Sequence, residues 1–75
     1  MNNYQYTVFF EPQPGGGFNV MVPAIPEICT FGETLEEARE MAKDAIHCYV
    51  ESAIKHGEAI PEDAEPTKEQ VVVSL

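Results

Sequence analysis

Positive charge is scarce in this sequence. Lysine and arginine number 4 against 13 acids among 75 residues, a formal net charge of −9. Affinity for nucleic acid comes largely from cations that displace phosphate counterions, so direct binding of DNA or RNA is not expected, nor is binding to an anionic membrane. Such a surface instead attracts a basic partner and speeds the encounter. Cysteine is sparse too. Cys29 and Cys48 are too few for a disulfide scaffold, and no pair of C-x-x-C elements marks a structural zinc site. Long apolar runs are missing, so nothing approaches the roughly 20 residues that span a bilayer. The opening MNNYQYTVFFEP lacks the basic region and apolar run of a signal peptide. A cytoplasmic location with reduced thiols is therefore the expectation.

The chain is also short, and one domain over residues 1–75 is expected. A domain of this size buries only about 60 % of the surface its unfolded chain exposes, and its core seldom supplies more than ~3–5 kcal/mol. With neither disulfides nor zinc to help, association with another chain is the remedy left. The apolar share of 44 % is that of a globular domain and excludes a disordered one.

Tyr4 to Glu11 alternates, with Tyr4, Tyr6, Val8 and Phe10 on one face and Gln5, Thr7, Phe9 and Glu11 on the other. Aromatic and β-branched residues at period two predict a strand. Pro12 to Gly17 (PQPGGG) predicts a turn, and Phe18 to Val22 alternates again as the second strand of a hairpin. Pro23 and Pro26 close that strand because proline lacks the N–H a ladder needs. A third short strand is expected at about 28–31. Thr34-Leu35-Glu36-Glu37 is a capping box, in which the Thr34 hydroxyl accepts from the Glu37 amide and the Glu37 carboxylate reaches back to the Thr34 amide. Leu35, Ala38, Ala42, Ala45, Ile46, Tyr49, Ala53 and Ile54 then recur at helical spacing. Lys55 and His56 suit the negative end of the helix, and Gly57 supplies a left-handed stop, so a helix over about 35–56 is expected. After the acidic connector EAIPEDAEP, the valine-rich Gln70 to Leu75 predicts a final strand. The expected fold class is α+β, in the order β-β-β-α-β: a small antiparallel meander plus a C-terminal strand, with one long helix packed on one face.

Candidate sites divide into those that chemistry disfavours and those that remain. Gly15-Gly16-Gly17 leads into a strand and has no lysine, so it is a hairpin turn rather than a phosphate loop. Asp44, His47 and Glu51 share a helix stripe with Cys48 on its margin. They form either a divalent-metal site or a solvated face, and the solvated face is what an amphipathic helix shows by default. No cofactor or metal is expected. Cys29 has only acids nearby, which raise a thiol pKa, so it is read as a small core residue rather than a nucleophile. The strand interiors carry no Asp or Glu, so the converging acids of a two-metal hydrolase are missing and no enzyme activity is expected. Phe9, Met21 and Val72 point opposite to the main apolar sets of their strands. Apolar side chains on both faces of a sheet need cover on both, so these three are the expected interface with a second copy of the chain.

The series Tyr6-Thr7-Val8-Phe9-Phe10-Glu11, Gly17-Phe18-Asn19-Val20-Met21-Val22-Pro23-Ala24-Ile25-Pro26, Thr30-Phe31-Gly32-Glu33-Thr34-Leu35-Glu36-Glu37-Ala38 and Gly57-Glu58-Ala59-Ile60-Pro61 resembles the HicB-like antitoxin family over about residues 4–61. The ordered set carries the likeness; no single element is specific. The resemblance implies a partial ribonuclease-H-like fold without its catalytic centre. It also implies a partner, a small basic messenger-RNA-cleaving toxin of the HicA type, which the protein binds and neutralises. Glu27 stands where the family usually has glycine, so a different turn is expected there. No DNA-binding segment follows Leu75, so operator binding by this chain alone is not expected. The acids that would cover a cationic toxin are Glu33, Glu36, Glu37, Glu40 and Asp44, against the simpler reading that they complement the helix dipole and solubilise the surface. The competing function is a stand-alone oligomeric domain that binds another protein or a small ligand and has no toxin.

Overall fold

The computed structural model describes residues 3–75. Its elements are strands β1 (Phe9–Pro12), β2 (Phe18–Met21) and β3 (Cys29–Gly32), followed by helix α1 (Leu35–Lys55). The strands form one antiparallel sheet in the order β1-β2-β3. Gln13 and Gly17 close the hairpin: the Gln13 amide donates to the Gly17 carbonyl at 3.0 Å, and the Gly16 amide to the Gln13 carbonyl at 2.9 Å. Gly16 and Gly17 hold φ values of 101° and 82°, which a side chain would strain.

Between β2 and β3 the chain makes two consecutive turns. The Ile25 amide donates to the Val22 carbonyl at 2.9 Å and the Ile28 amide to the Ile25 carbonyl at 3.0 Å. Pro23 and Pro26 thus each occupy the second turn position, where their fixed φ is pre-set. No non-glycine residue described has positive φ, so Glu27 fills its turn without needing a glycine.

Pairing sets the two faces of the sheet. Phe10, Val20 and Thr30 stand in one cross-strand row, and Pro12, Phe18 and Gly32 in the next. This inner face meets the helix, with Val20, Ala38 and Ala42 buried together and Val8, Phe10 and Phe18 packed around them. Alanines on the helix let it approach closely, and Gly32 allows more: a Cβ there would fall on the Ala38 backbone. Val22, Ile25, Val50 and Ala53 are also buried.

The helix begins as expected. Thr34 is the N-cap, and its hydroxyl accepts from the Glu37 amide at 3.0 Å. The Glu37 carboxylate reaches back to the Glu33 amide at 3.3 Å, one residue before the Thr34 amide of the expected box. At the other end the Glu58 amide donates to Ala53 (2.8 Å) and the Gly57 amide to Ile54 (3.2 Å), with Gly57 at φ 67°. That pair of bonds is the Schellman closure, which satisfies the last carbonyls and turns the chain back along the helix.

Two expected elements differ. The strand expected from Tyr4 starts only at Phe9, because its partner β2 ends at Met21, opposite Phe9, and then enters the proline turns. The C-terminal strand expected over Gln70 to Leu75 is not formed. Val71, Val72 and Val73 are 77 %, 92 % and 73 % exposed and lie in no sheet. A β-prone sequence becomes a strand only when it pairs with a neighbouring ladder, and these residues pair with neither edge of the β1-β2-β3 sheet.

Candidate functional site

The acidic group lies at the start of α1. Glu33, Glu36, Glu37, Glu40 and Asp44 are all exposed. Glu36, Glu40 and Asp44 recur at every fourth residue and so form one ridge, about 12 Å long at 1.5 Å per residue. Glu37 stands apart from it, held in the cap by the Glu33 amide. Glu40 lies 3.6 Å from Lys43, an exposed contact that constrains little. Among the described residues Glu36 and Asp44 have no cationic partner. The ridge therefore presents concentrated negative charge to solvent.

Farther along the helix, His47 Nε2 and Glu51 Oε2 are 3.0 Å apart. Asp44 and Cys48 do not join them. Among the described residues no three His, Cys, Asp or Glu side chains are gathered as a metal site.

The outer face of the sheet is the second surface. Phe9, Met21 and Cys29 form one cross-strand row, and Glu11, Asn19 and Phe31 the next. Phe9, Met21 and Phe31 are 43 %, 40 % and 42 % exposed, so three large apolar side chains share an uncovered face. The expected Phe9 and Met21 are brought together there, while Val72 lies outside the sheet. Cys29 corrects the sequence reading: it is exposed on this face, not a core residue. Its parity in β3 opposes that of Thr30 and places it beside Met21, on the side away from the helix. Sequence reasoning misses Phe31 for the same reason. Its alternation with Cys29 is legible, but the direction of β3's faces depends on register.

A third region has no signal in the sequence pattern. The connector after α1 returns to the N-terminal segment. The Tyr6 hydroxyl donates to the Pro61 carbonyl at 2.6 Å. The Thr7 amide and hydroxyl donate to the two carboxylate oxygens of Asp63 at 2.7 and 2.8 Å. The Thr7 amide first, and its hydroxyl next, hold the Asp63 carboxyl below its ordinary value. Burial first, and then the nearby Tyr4 and Asp63, push the Tyr6 phenol up. Tyr49 donates to Glu27 at 3.1 Å, tying the helix to the proline turns, and that bond raises its pKa. Between the N-terminal segment and α1 an open groove of about 970 Å³ remains, lined by Tyr4, Tyr6 and Phe10 on one side and Ile46, Val50 and Ile54 on the other.

This order of elements and motifs meets a family model. Residues 6–72 match the model of the HicB-like antitoxin of bacterial toxin–antitoxin systems. The chain belongs to the HicB-like antitoxin family. Relatives of two kinds surround this HicB-like chain. A UPF0150 protein of Thermoplasma acidophilum is 44 % identical over 59 residues, 79 % of this chain and 86 % of the relative. Antitoxin HicB 1 of Photorhabdus laumondii is 44 % identical over 61 residues, 81 % of this chain but 39 % of the relative. Antitoxin HicB of Escherichia coli K12 is 42 % identical over 57 residues, 76 % of this chain and 41 % of the relative. The HicB-like chain thus spans about two fifths of the relatives named HicB and most of the UPF0150 protein. No described helix is long and apolar enough to cross a membrane.

Proposed function

We propose that this chain is a non-catalytic antitoxin that binds and neutralises a small basic messenger-RNA-cleaving toxin of the HicA type in the cytoplasm. The observation that carries this reading is the exposed ridge of Glu36, Glu40 and Asp44 on a chain of charge −9. A toxin that grips RNA phosphates presents cations, and carboxylates at this spacing can occupy the same donors. Glu33 and Glu37 flank the ridge and add to its field, which speeds encounter with a cationic partner. Burying part of a helix face that needs no refolding keeps the ordering cost of the complex low. Phe9, Met21 and Phe31 form a separate apolar face, fitted to a second copy of the chain rather than to a basic toxin.

One observation favours the second reading, a stand-alone oligomeric domain with no toxin. Coverage is 86 % of the Thermoplasma relative but about two fifths of the proteins named HicB. Co-expression with a small basic toxin of the HicA type in a toxicity assay separates the two. The expected result is growth rescue by the wild-type chain and its loss in a Glu36→Lys, Glu40→Lys, Asp44→Lys variant. All three positions are exposed, so an unchanged circular-dichroism spectrum accompanies that loss. Full rescue by the variant removes the ridge as the binding surface. Failure of the wild-type chain to rescue favours the toxin-free domain.

A further inference from the structure

A second, smaller pocket lies at the glycine turn of the β1-β2 hairpin. It encloses about 310 Å³ and is lined by Gly15, Gly16, Gly17, Phe31 and Glu33. That volume is at the small end of ligand sites. Phe31 pairs with Asn19, so Gly17 stands on its diagonal, on the side away from Met21. The Phe31 ring takes that diagonal: a Cβ at Gly17 would fall on its Cζ and Cε2 atoms. Gly17 also holds a φ of 82°, so both the ring and the backbone require glycine there. The ring is thereby seated over the turn, and Phe31 remains 42 % exposed.

Glu33 gives this pocket its charge. The Glu33 amide donates to Glu37, while among the described residues the Glu33 carboxylate has no hydrogen-bond or ion-pair partner. The Gly16 amide, a donor that a glycine turn could offer to an anion, is engaged by the Gln13 carbonyl at 2.9 Å. An anion is therefore repelled, whereas a cation gains from both the aromatic face and the carboxylate. Of the two cationic side chains, only the planar guanidinium stacks on a ring while its N–H fork meets a carboxylate; an ammonium is a compact point charge. Glu33 also stands at the head of the acids that continue along α1 as Glu36, Glu40 and Asp44. The field that draws in a basic chain thus delivers its side chains to this end of the molecule.

We propose, resting on the antitoxin reading for the identity of the partner, that the pocket between the glycine turn and Phe31 receives an arginine side chain of the basic toxin. Its guanidinium stacks on the Phe31 ring and pairs with the Glu33 carboxylate. Phe31 then serves the turn with its leading edge, and Phe9 and Met21 remain the apolar pair of the outer face. Glu33 makes a defined contact, whereas the ridge of Glu36, Glu40 and Asp44 supplies the wider field.

The first test needs no toxin. The full chain is titrated with N-acetyl-arginine amide at millimolar concentration and low salt, and backbone amide resonances are followed by NMR. Saturable shifts are expected at Gly15 to Gly17, Phe31 and Glu33, with none from the neutral N-acetyl-citrulline amide. The shifts are expected to disappear in Glu33→Gln and in Phe31→Leu, which keep the size and exposure of each side chain. No saturable shift, or shifts confined to Glu36, Glu40 and Asp44, overturns the pocket; equal shifts from N-acetyl-lysine amide overturn the guanidinium assignment. The second test measures affinity for a HicA-type toxin. Glu33→Gln is expected to weaken it about tenfold and Phe31→Leu about threefold. A toxin that binds the wild-type chain and both variants alike overturns the pocket and leaves the antitoxin reading standing. A toxin that does not bind the wild-type chain, beside localised arginine-amide shifts, overturns the antitoxin reading and leaves a guanidinium pocket.

Discussion

Replacing Gly32 by alanine adds one methyl group at the point where β3 meets α1. Its Cβ would fall on the Ala38 backbone, which belongs to the first turns of the helix and cannot rotate aside as a side chain can. Relief requires α1 to lift from the sheet, over Val20, Ala38 and Ala42, which form the buried cluster. Overpacking of this kind costs about 1–3 kcal/mol, and a backbone clash belongs at the upper end. The whole core of so short a domain supplies only ~3–5 kcal/mol. Gly32→Ala therefore removes about half of the stability or more. One kcal/mol moves the midpoint of a domain this size by roughly 4–8 °C, so a fall of roughly 10–20 °C is expected. The assay is thermal unfolding followed by helix circular dichroism, at one protein concentration because association shifts the midpoint. Gly15→Ala is the control: its Cβ would meet nothing within 4 Å and its φ is not positive, so it is expected to be neutral or slightly stabilising. If Gly32→Ala unfolds within 2–3 °C (about 0.5 kcal/mol) of the wild type, the close approach of β3 and α1 does not set the packing of this fold.

Two further outcomes test the helix start and the returning connector. Thr34→Ala removes the acceptor for the Glu37 amide, with an expected loss of ~1 kcal/mol in urea unfolding; Thr34→Ser retains the acceptor and should recover most of it. Asp63 has a folded pKa below its ordinary 3.8 because Thr7 hydrogen-bonds its charged form. Its contribution is therefore present above 3.8 and is lost as pH falls through the lower folded value. The Thr7 amide resonance should titrate with a midpoint below 3.8, and that titration should vanish in Asp63→Asn; a midpoint at or above 3.8 would count against the clamp.

Features set by neighbours along the chain are legible in the residue order alone. The Thr34 cap and the Gly57 stop depend on bonds that span three to five residues, so residue types at those spacings suffice to place both ends of α1. Period-two alternation tells Phe10 and Val20 from Phe9 and Met21, because the side-chain period of a strand is a local property. The acidic ridge is legible as well, since helical spacing alone gathers Glu36, Glu40 and Asp44. Tertiary structure decides the rest. The length of β1 depends on where its partner stops, at Met21. The side on which Cys29 and Phe31 emerge depends on the register of β3 against β2, and a shift of one residue would exchange their faces. The bonds from Tyr6 to Pro61 and from Thr7 to Asp63 join residues 55 and 56 apart, and no local pattern announces such a pair. The tail carries strong β preference in its valines, yet preference supplies no hydrogen-bond partner. Whether Gln70 to Leu75 is a strand is decided by the edge it meets, because a strand, unlike a helix, takes its backbone bonds from another segment.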